Sequence, residues 1–253
     1  MEINLKNKIA VVTGGTGQLG RVMVRTLAAC GADIAVHYYK NEDMAATLVK
    51  ELEGLGRRAL AVQADITKLD SIERMRDKIA AELGNPHIVV NNAVSQYPWT
   101  TILEQPDSDF IDQFETCTLH NVYMAKAFLP AMISRGVGRF IGINTECAAA
   151  LEANAGAYSA AKRGMDGIYR VLAKEVGPHN ITVNQVAPGW TISDNDRKAG
   201  TEHSPEYEKT VPLGRRGTDR EIANVVAFLA SDLSSFITGA YIPVCGGRVM
   251  PGI

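Results

Sequence analysis

Two side chains in Ala157–Gly167 (AYSAAKRGMDG) have the chemistry and the spacing to work together. Tyr158 and Lys162 stand four residues apart, and on an α-helix that spacing puts both on one face, about 5–6 Å apart at Cβ. A phenol ionises near pH ~10, and a cation within a few ångströms lowers that by about 1–3 units. The pair is therefore expected to exchange a proton near neutrality, with Tyr158 as the acid/base. Upstream, the apolar run Arg139–Asn144 delivers Thr145, whose hydroxyl can bond a carbonyl oxygen. Each has a plainer reading: a solvated lysine beside a half-buried tyrosine, and a threonine capping its own loop. The weight falls on what else the chain brings to the same place.

A second constellation lies near the N-terminus. Lys8–Thr13 (KIAVVT) is a β-branched apolar run that stops at a glycine cluster, and Gln18–Cys30 repeats apolar residues at helical spacing. This pattern is strand, tight turn, helix. Gly14, Gly17 and Gly20 fall in the turn. Glycines there tolerate positive φ, let backbone approach a pyrophosphate and let helix pack on sheet, while free amides at the helix start receive negative charge. The turn predicts dinucleotide binding by Gly14, Thr16, Gly17, Gln18 and Leu19, against the alternative of a merely structural turn.

The next strand, Ala32–Tyr38, ends in Tyr38, Tyr39 and Lys40. An acid at that end would accept from the 2′-hydroxyl of the adenine ribose and mark NAD. Asp33 lies at the opposite end and is expected at the surface. Without the acid a 2′-phosphate is not repelled, and Lys40, beside Tyr39 and helped by Asn41, can pair with it. NADP(H) is favoured and NAD(H) stays open, because Lys40 also fits a solvated loop.

Helix and strand continue to alternate: helix 42–55, strand 59–63, helix 69–83, strand 87–91, a long helix 109–134, strand 139–144, the Tyr158 helix, strand 181–187, helix 219–231 and strand 240–244. Repeated β-α units imply an α/β fold with a parallel sheet and helices on both faces. Asp65 and Ile66 follow one carboxyl end and suit the adenine. Asn91, Asn92 and Ala93 follow another and suit the middle of the dinucleotide. Asp and Asn are also common in ordinary turns. After Pro188, Gly189 and Trp190 the chain turns polar for about 20 residues; loops this long are commonly functional lids. A substrate lid over about 190–211 is expected, with Trp190 and Tyr207 facing the pocket. One domain, 1–253, is expected, without repeats or linkers.

Composition bounds the alternatives. At 253 residues with 46% hydrophobic and 21% charged, the chain is long enough to bury roughly 70–75% of its unfolded surface. A net charge of -2 offers no general attraction to nucleic acid or an anionic membrane. Cys30, Cys117, Cys147 and Cys245 are scattered without a CxxC pair, which suits reduced thiols in a cytoplasm and supplies no metal-ligand spacing. No secretion signal and no run approaching the ~18–20 apolar residues of a membrane span is expected.

Glycine turn, Asn-Asn-Ala turn, hydroxyl residue, YxxxK and Pro-Gly in this order resemble the short-chain dehydrogenase/reductase family, over essentially the whole chain. The pattern is most similar to 3-oxoacyl-(acyl-carrier-protein) reductases, down to RRGTDREIANVVAFLASDLSSFITGAYIPVCGG near the C-terminus. The resemblance implies a Rossmann-type sheet of seven parallel strands, a nicotinamide cofactor, hydride transfer between carbonyl and alcohol, and a homo-oligomer, commonly a tetramer. Carried over by residue, Tyr158 is the proton donor, Lys162 holds the ribose hydroxyls and depresses the tyrosine pKa, and Thr145 orients the substrate oxygen. Val94 follows the Asn-Asn-Ala turn near the nicotinamide, and Pro188, Gly189 and Thr191 or Ser193 flank its carboxamide.

Four departures from the family pattern are visible. Gln18 occupies the middle glycine position, Val94 the last position of the NNAG motif, and Cys245 the place of an Asp before the terminal Gly-Gly. Cys117 falls where the family carries a helix asparagine that helps hold a water beside the lysine, and thiols are poor hydrogen-bond partners. Asn121, one turn on, can substitute only if the helix is shifted or bulged.

These features predict an NAD(P)(H)-dependent oxidoreductase interconverting a carbonyl and a secondary alcohol, with NADPH-dependent ketone reduction in front. An NAD-dependent alcohol or sugar dehydrogenase is the second enzyme reading, and a nucleotide-binding paralogue without turnover the third. Candidate substrate-lining residues are Gln96, Trp99, Cys147 and Trp190. Glu146 and Glu152 can receive hydroxyls or a cation, or stay solvated.

Overall fold

The computed structural model describes residues 2–252. β1 (Ile9–Val12), β2 (Asp33–Tyr38), β3 (Ala59–Gln63), β4 (Ile88–Asn91), β5 (Gly138–Ile143), β6 (Ile181–Pro188) and, beyond a small side ribbon, β9 (Tyr241–Val244) form one parallel sheet. Its order is β3-β2-β1-β4-β5-β6-β9. Order reverses between β1 and β4, where crossovers leave opposite faces of the sheet. In open parallel sheets ligands bind beyond the strand carboxyl ends at such a switch point.

The central strands are buried on both faces, which is why IAVV and IVVN lack alternation. On one face α1 (Gln18–Ala29), α2 (Glu42–Gly54) and α10 (Asp219–Ala230) enclose a core around Met23, Val24, Leu27, Leu48 and Val226. On the other, α3 (Leu69–Glu82), α5 (His120–Arg135) and α7 (Gly156–Val176) enclose Ile72, Met124, Phe128, Phe140, Met165 and Tyr169. Gly142 on β5 lets α7 settle close: a Cβ there would collide with the Met165 methyl and the Tyr169 ring.

The helix expected over 109–134 is three pieces: α4 (Asp107–Gln113), a π-helical turn Phe114–Leu119, and α5. A π turn adds a residue to the repeat and rotates the helix beyond it. Asp33 is not a free surface residue; it ion-pairs with Arg58 at 2.8 Å and accepts from the Arg58 amide at 3.0 Å.

The segment after β6 is less irregular than its polarity suggests. β7 (Thr191–Ile192) pairs with β8 (Gly217–Thr218), and α8 (Asp194–Ala199) and α9 (Pro205–Glu208) lie between them. Ser193 and Asp196 form a capping box for α8, and Thr218 and Glu221 one for α10. A short α6 (Cys147–Ala150) follows β5. No helix among the described residues is long and apolar enough to cross a membrane.

Candidate active site

The glycine turn is closed from below. Gly14 sits at φ +61°, and a Cβ there would lie 3.0 Å from the Ala93 Cα. A Cβ on Gly20 would run into the Gly14 carbonyl, so α1 can approach only without one. The Thr13 hydroxyl accepts from the amides of Asn92 (2.9 Å) and Ala93 (3.1 Å), and the Asn92 side chain donates to the carbonyls of Thr13 (3.0 Å) and Gly14 (3.2 Å). The carboxyl ends of β1 and β4 are thereby locked together. α1 starts with no side-chain cap and no acid in its first turn, so its free amides are open to an anion.

In front of this turn runs a groove of about 970 Å³. Gly14, Thr16, Gly17, Gln18 and Leu19 line its middle; Tyr39, Lys40, Asp65 and Ile66 line one end; Asn92, Ala93 and Val94 line the other. A glycine turn that a side chain would fill, uncapped amides and a groove of this size fit a dinucleotide.

Several residues read as ligands have other work. The Asn41 side-chain oxygen caps α2 by accepting from Met44 N at 3.1 Å, while the residue also lines the groove beside Lys40. Asn91 is buried and donates to the Tyr169 hydroxyl at 2.8 Å beneath the groove. One Asp65 oxygen is taken by the amide and hydroxyl of Thr67. Ser193 is committed to its capping box with Asp196, which leaves Thr191 beside Pro188 and Gly189.

His37 is a wall residue that sequence reasoning missed. It is buried, accepts from Gly14 N through Nδ1 at 2.9 Å and faces the Ala64 carbonyl through Nε2 at 3.1 Å. Burial lowers its pKa to about 4, so the ring is neutral and able to accept at Nδ1. Its signal was strand alternation, since it lies two residues before Tyr39 on the same side of the chain.

The groove continues into a cavity of about 250 Å³ that shares Gln18, Leu19, Asn92, Val94 and Gln96 with it. Tyr158, Lys162 and Thr145 line this cavity with Pro188, Gly189 and Thr191. α7 supplies the first two from one face, its start fixed by the Tyr158 amide donating to the Tyr97 hydroxyl at 2.8 Å. β5 delivers Thr145, held by the Asn144 side chain accepting from its amide (2.8 Å) and by Tyr241 donating to its carbonyl (2.6 Å).

The expected depression of the tyrosine pKa is not what these residues alone produce. Burial pushes the Tyr158 phenol upward, the nearby Cys117 and Cys147 thiols add to this, and only the Thr145 hydroxyl, by hydrogen bonding, works against it. Burial also lowers the Lys162 amine. Its Nζ donates to the Ile143 carbonyl at 2.5 Å and stands 5.7 Å from the Tyr158 ring centre. Lys162 is buried and Tyr158 half-buried on the cavity wall, and the loss of water around each weighs against its charged form.

Asn121 does not replace the missing helix asparagine. Its Nδ2 turns back to the Cys117 carbonyl at 2.6 Å, and its Oδ1 accepts from Tyr169 at 2.7 Å. The π turn, with Cys117 inside it, is where the helix departs from simple spacing. Cys245, in place of an acid, is buried, and its sulfur meets both the amide and the carbonyl of Val249.

A third cavity of about 580 Å³ shares Gln96, Thr145, Tyr158, Gly189 and Trp190 with the second and adds Trp99, Cys147, Glu146, Glu152 and Tyr207. The four residues expected to meet substrate, Gln96, Trp99, Cys147 and Trp190, all lie on it. The Trp99 and Tyr158 rings are 6.0 Å apart, and Trp190 and Tyr207 meet edge to face at 5.5 Å.

The sequence profile of the family described as "Enoyl-(Acyl carrier protein) reductase" matches residues 16–248. The chain belongs to the short-chain dehydrogenase/reductase family. It is 36% identical over 249 residues to the 3-oxoacyl-[acyl-carrier-protein] reductase of Escherichia coli (strain K12), covering 98% of this chain and 100% of the relative. The enzyme of that name from Pseudomonas aeruginosa is 34% identical over 249 residues, with 98% and 100% covered. Among solved short-chain dehydrogenase/reductase folds, a 7α-hydroxysteroid dehydrogenase complexed with NADH and 7-oxoglycochenodeoxycholic acid matches with TM-score 0.89 at 29% identity, covering 99% of this chain and 97% of that one. A blue fluorescent protein from a metagenomic library in complex with NADPH matches with TM-score 0.90 at 35% identity, covering 98% and 100%.

Proposed function

We propose that this protein is an NAD(P)(H)-dependent oxidoreductase that interconverts a carbonyl and a secondary alcohol, working as an NADPH-dependent ketone reductase. One observation carries the reading: Tyr158, Lys162 and Thr145 line a cavity that opens at one side into the dinucleotide-sized groove and at the other into an aromatic-walled cavity. The relatives named as 3-oxoacyl reductases and the NADPH-bound neighbour support it.

In this reading the amides around Gly14, Thr16, Gly17, Gln18 and Leu19 hold the diphosphate, and Tyr39, Lys40, Asp65 and Ile66 hold the adenine ribose and base. Asn92, Ala93 and Val94 hold the middle, and Lys162, Pro188, Gly189 and Thr191 the nicotinamide half. The cofactor supplies the hydride when bound. The Thr145 hydroxyl holds the substrate oxygen, and Tyr158 gives that oxygen its phenolic proton. Lys162 stabilises the phenolate left behind. The segment 190–211 is the lid that excludes water, with Trp190 and Tyr207 on its inner side.

NADPH is favoured because Lys40, free of any ion pair among the described residues, lies on the groove beside Tyr39, with no acid at the carboxyl end of β2. Family membership supports a homotetramer, and four free cysteines suit a reducing cytoplasm; light scattering reads the first directly. The decisive experiment is NADPH oxidation by the purified protein with a panel of ketones. Turnover is expected, and Tyr158→Phe is expected to lower kcat by at least about a hundredfold. An unchanged rate in that variant would remove Tyr158 from the mechanism.

A further inference from the structure

The substrate cavity contains a charge arrangement that hydride and proton transfer do not use. Glu146, the residue after Thr145, is 3% exposed. Its Oε1 accepts from the Tyr207 hydroxyl at 2.9 Å and from Arg248 Nη1 at 2.8 Å. Arg248 also bonds Glu152 and the Thr210 hydroxyl (2.9 Å), and its guanidinium lies 4.9 Å from the Tyr207 ring centre. Two carboxylates therefore share one guanidinium. The second oxygen of Glu146, Oε2, is shielded from solvent and has no hydrogen-bond partner among the described residues. It lies beside Gly189, where a Cβ would come within 3.0 Å of it. Gly189, Glu146, Thr145 and Tyr158 share the wall of the third cavity.

A buried carboxylate oxygen left without a donor is costly, and a site built around one rejects ligands that cannot supply the missing hydrogen bond. A plain acyl chain would seal the oxygen against methylenes. A ligand anion would meet Glu146 and Glu152. A cation would find the buried Glu146 already paired with Arg248 and the faces of Trp190 and Tyr207 already covered by the guanidiniums of Arg216 and Arg248, at 4.3 and 4.9 Å; the carboxylate left over is Glu152, which is part exposed and screened by water. What remains is a neutral donor.

We infer that the substrate is a neutral ketone, or the matching alcohol, that carries a hydroxyl group close to the reacting carbon, and that Glu146 sets specificity by accepting from that hydroxyl. The inference rests on the ketone-reductase reading and narrows its substrate class away from the acyl-carrier thioesters in the relatives' names. Thr145 and Glu146 are consecutive and share the cavity wall with Tyr158 and Gly189, so a hydroxyl beside the carbonyl held by Thr145 and Tyr158 lies next to Glu146, and a small rotation of that carboxylate brings the shielded Oε2 to it.

The test compares kcat/KM for NADPH-dependent reduction of hydroxyacetone, acetone, aminoacetone and acetoacetate by the wild-type protein. Hydroxyacetone is expected to exceed each of the others by at least about tenfold. In Glu146→Gln, whose amide places a donor as well as an acceptor on the cavity, the hydroxyacetone-to-acetone ratio is expected to fall toward one. The wild-type comparison stands if that buried variant fails to fold. Equal rates on hydroxyacetone and acetone, or a preference for aminoacetone or acetoacetate, would overturn the inference while leaving the reductase reading intact. Absence of NADPH oxidation with every ketone, a long-chain 3-oxoacyl thioester included, would instead overturn that reading, and this inference with it.

Discussion

The Lys162 ammonium donates to the carbonyl oxygen of Ile143 at 2.5 Å while standing 5.7 Å from the centre of the Tyr158 ring. The main chain at the end of β5 thus fixes the cation beside the phenol. Burial raises the phenol and lowers the amine, so Tyr158 is protonated at neutral pH. In the proposed mechanism reduction uses that protonated phenol. Its rate is expected to hold through neutrality and fall in alkaline solution, whereas alcohol oxidation, which needs phenolate, rises with pH. Lys162→Met should lower kcat in both directions and move the alkaline limb to higher pH, because the cation favours phenolate. pH–rate profiles in both directions check this, and a reduction limb below about pH 6 would contradict it.

Lys40 lines the groove with no ion-pair partner among the described residues, and the Asn41 side-chain oxygen beside it caps a helix. Lys40→Ala is expected to raise the KM for NADPH by roughly ten- to a hundredfold and to leave that for NADH nearly unchanged, since one charge-assisted contact to a phosphate is worth about 1.5–3 kcal/mol. Equal losses with both cofactors would place the 2′-phosphate elsewhere.

Arg216 is the largest fully buried side chain and pins the segment 190–211 from inside. It bonds Asp196 at 2.9 Å and the carbonyls of Thr191 (3.1 Å) and Thr201 (3.0 Å), and lies 4.3 Å from the Trp190 ring centre. Arg216→Ala removes all of these at once. The segment 190–211 should then be cleaved by proteases faster than the sheet, and the substrate KM should rise. A cleavage pattern like that of the wild type would show that the segment holds without it.

His37 and His120 are buried, and burial lowers their pKa values to about 4 and about 3. Both lie below the unfolded value of about 6.5, so the unfolded chain takes up protons first as the solution is acidified. Their contribution to stability is complete above about pH 6.5 and is lost as pH falls toward 4, on the order of 3 kcal/mol from His37 alone. Thermal unfolding from pH 7 to pH 4.5 should show a steep fall in Tm, shallower in His37→Asn. A flat Tm across that interval would mean that neither ring is forced to stay neutral.

The strands, their order of appearance and the glycine turn were legible because they depend on local rules. β-branched runs buried on both faces, helical spacing after Gln18, and glycines where a side chain would strike the Gly14 carbonyl or Ala93 are written residue by residue. Tyr158 and Lys162 share a face because four residues make one helical turn. His37, Tyr97, Tyr241 and Arg248 were not legible as site residues. Each reaches its partner across the fold, and nothing in the local pattern of HYY or GGRVM marks which wall it will join.

Taken alone, the sequence settled the alternation of elements and the turn that opens a groove, and it singled out Tyr158, Lys162 and Thr145 as candidates, because periodicity and backbone sterics act over a few residues. Only the tertiary structure decided the electrostatic outcome. Lys162 is buried against β5 and Tyr158 half-buried on the cavity wall, so loss of water weighs against both charges, and the π turn directs Asn121 to Cys117 and Tyr169. Packing likewise made Glu146 a buried acceptor with one oxygen unmatched among the described residues. Desolvation depends on everything that surrounds a group, and those neighbours come from elements far apart in the chain.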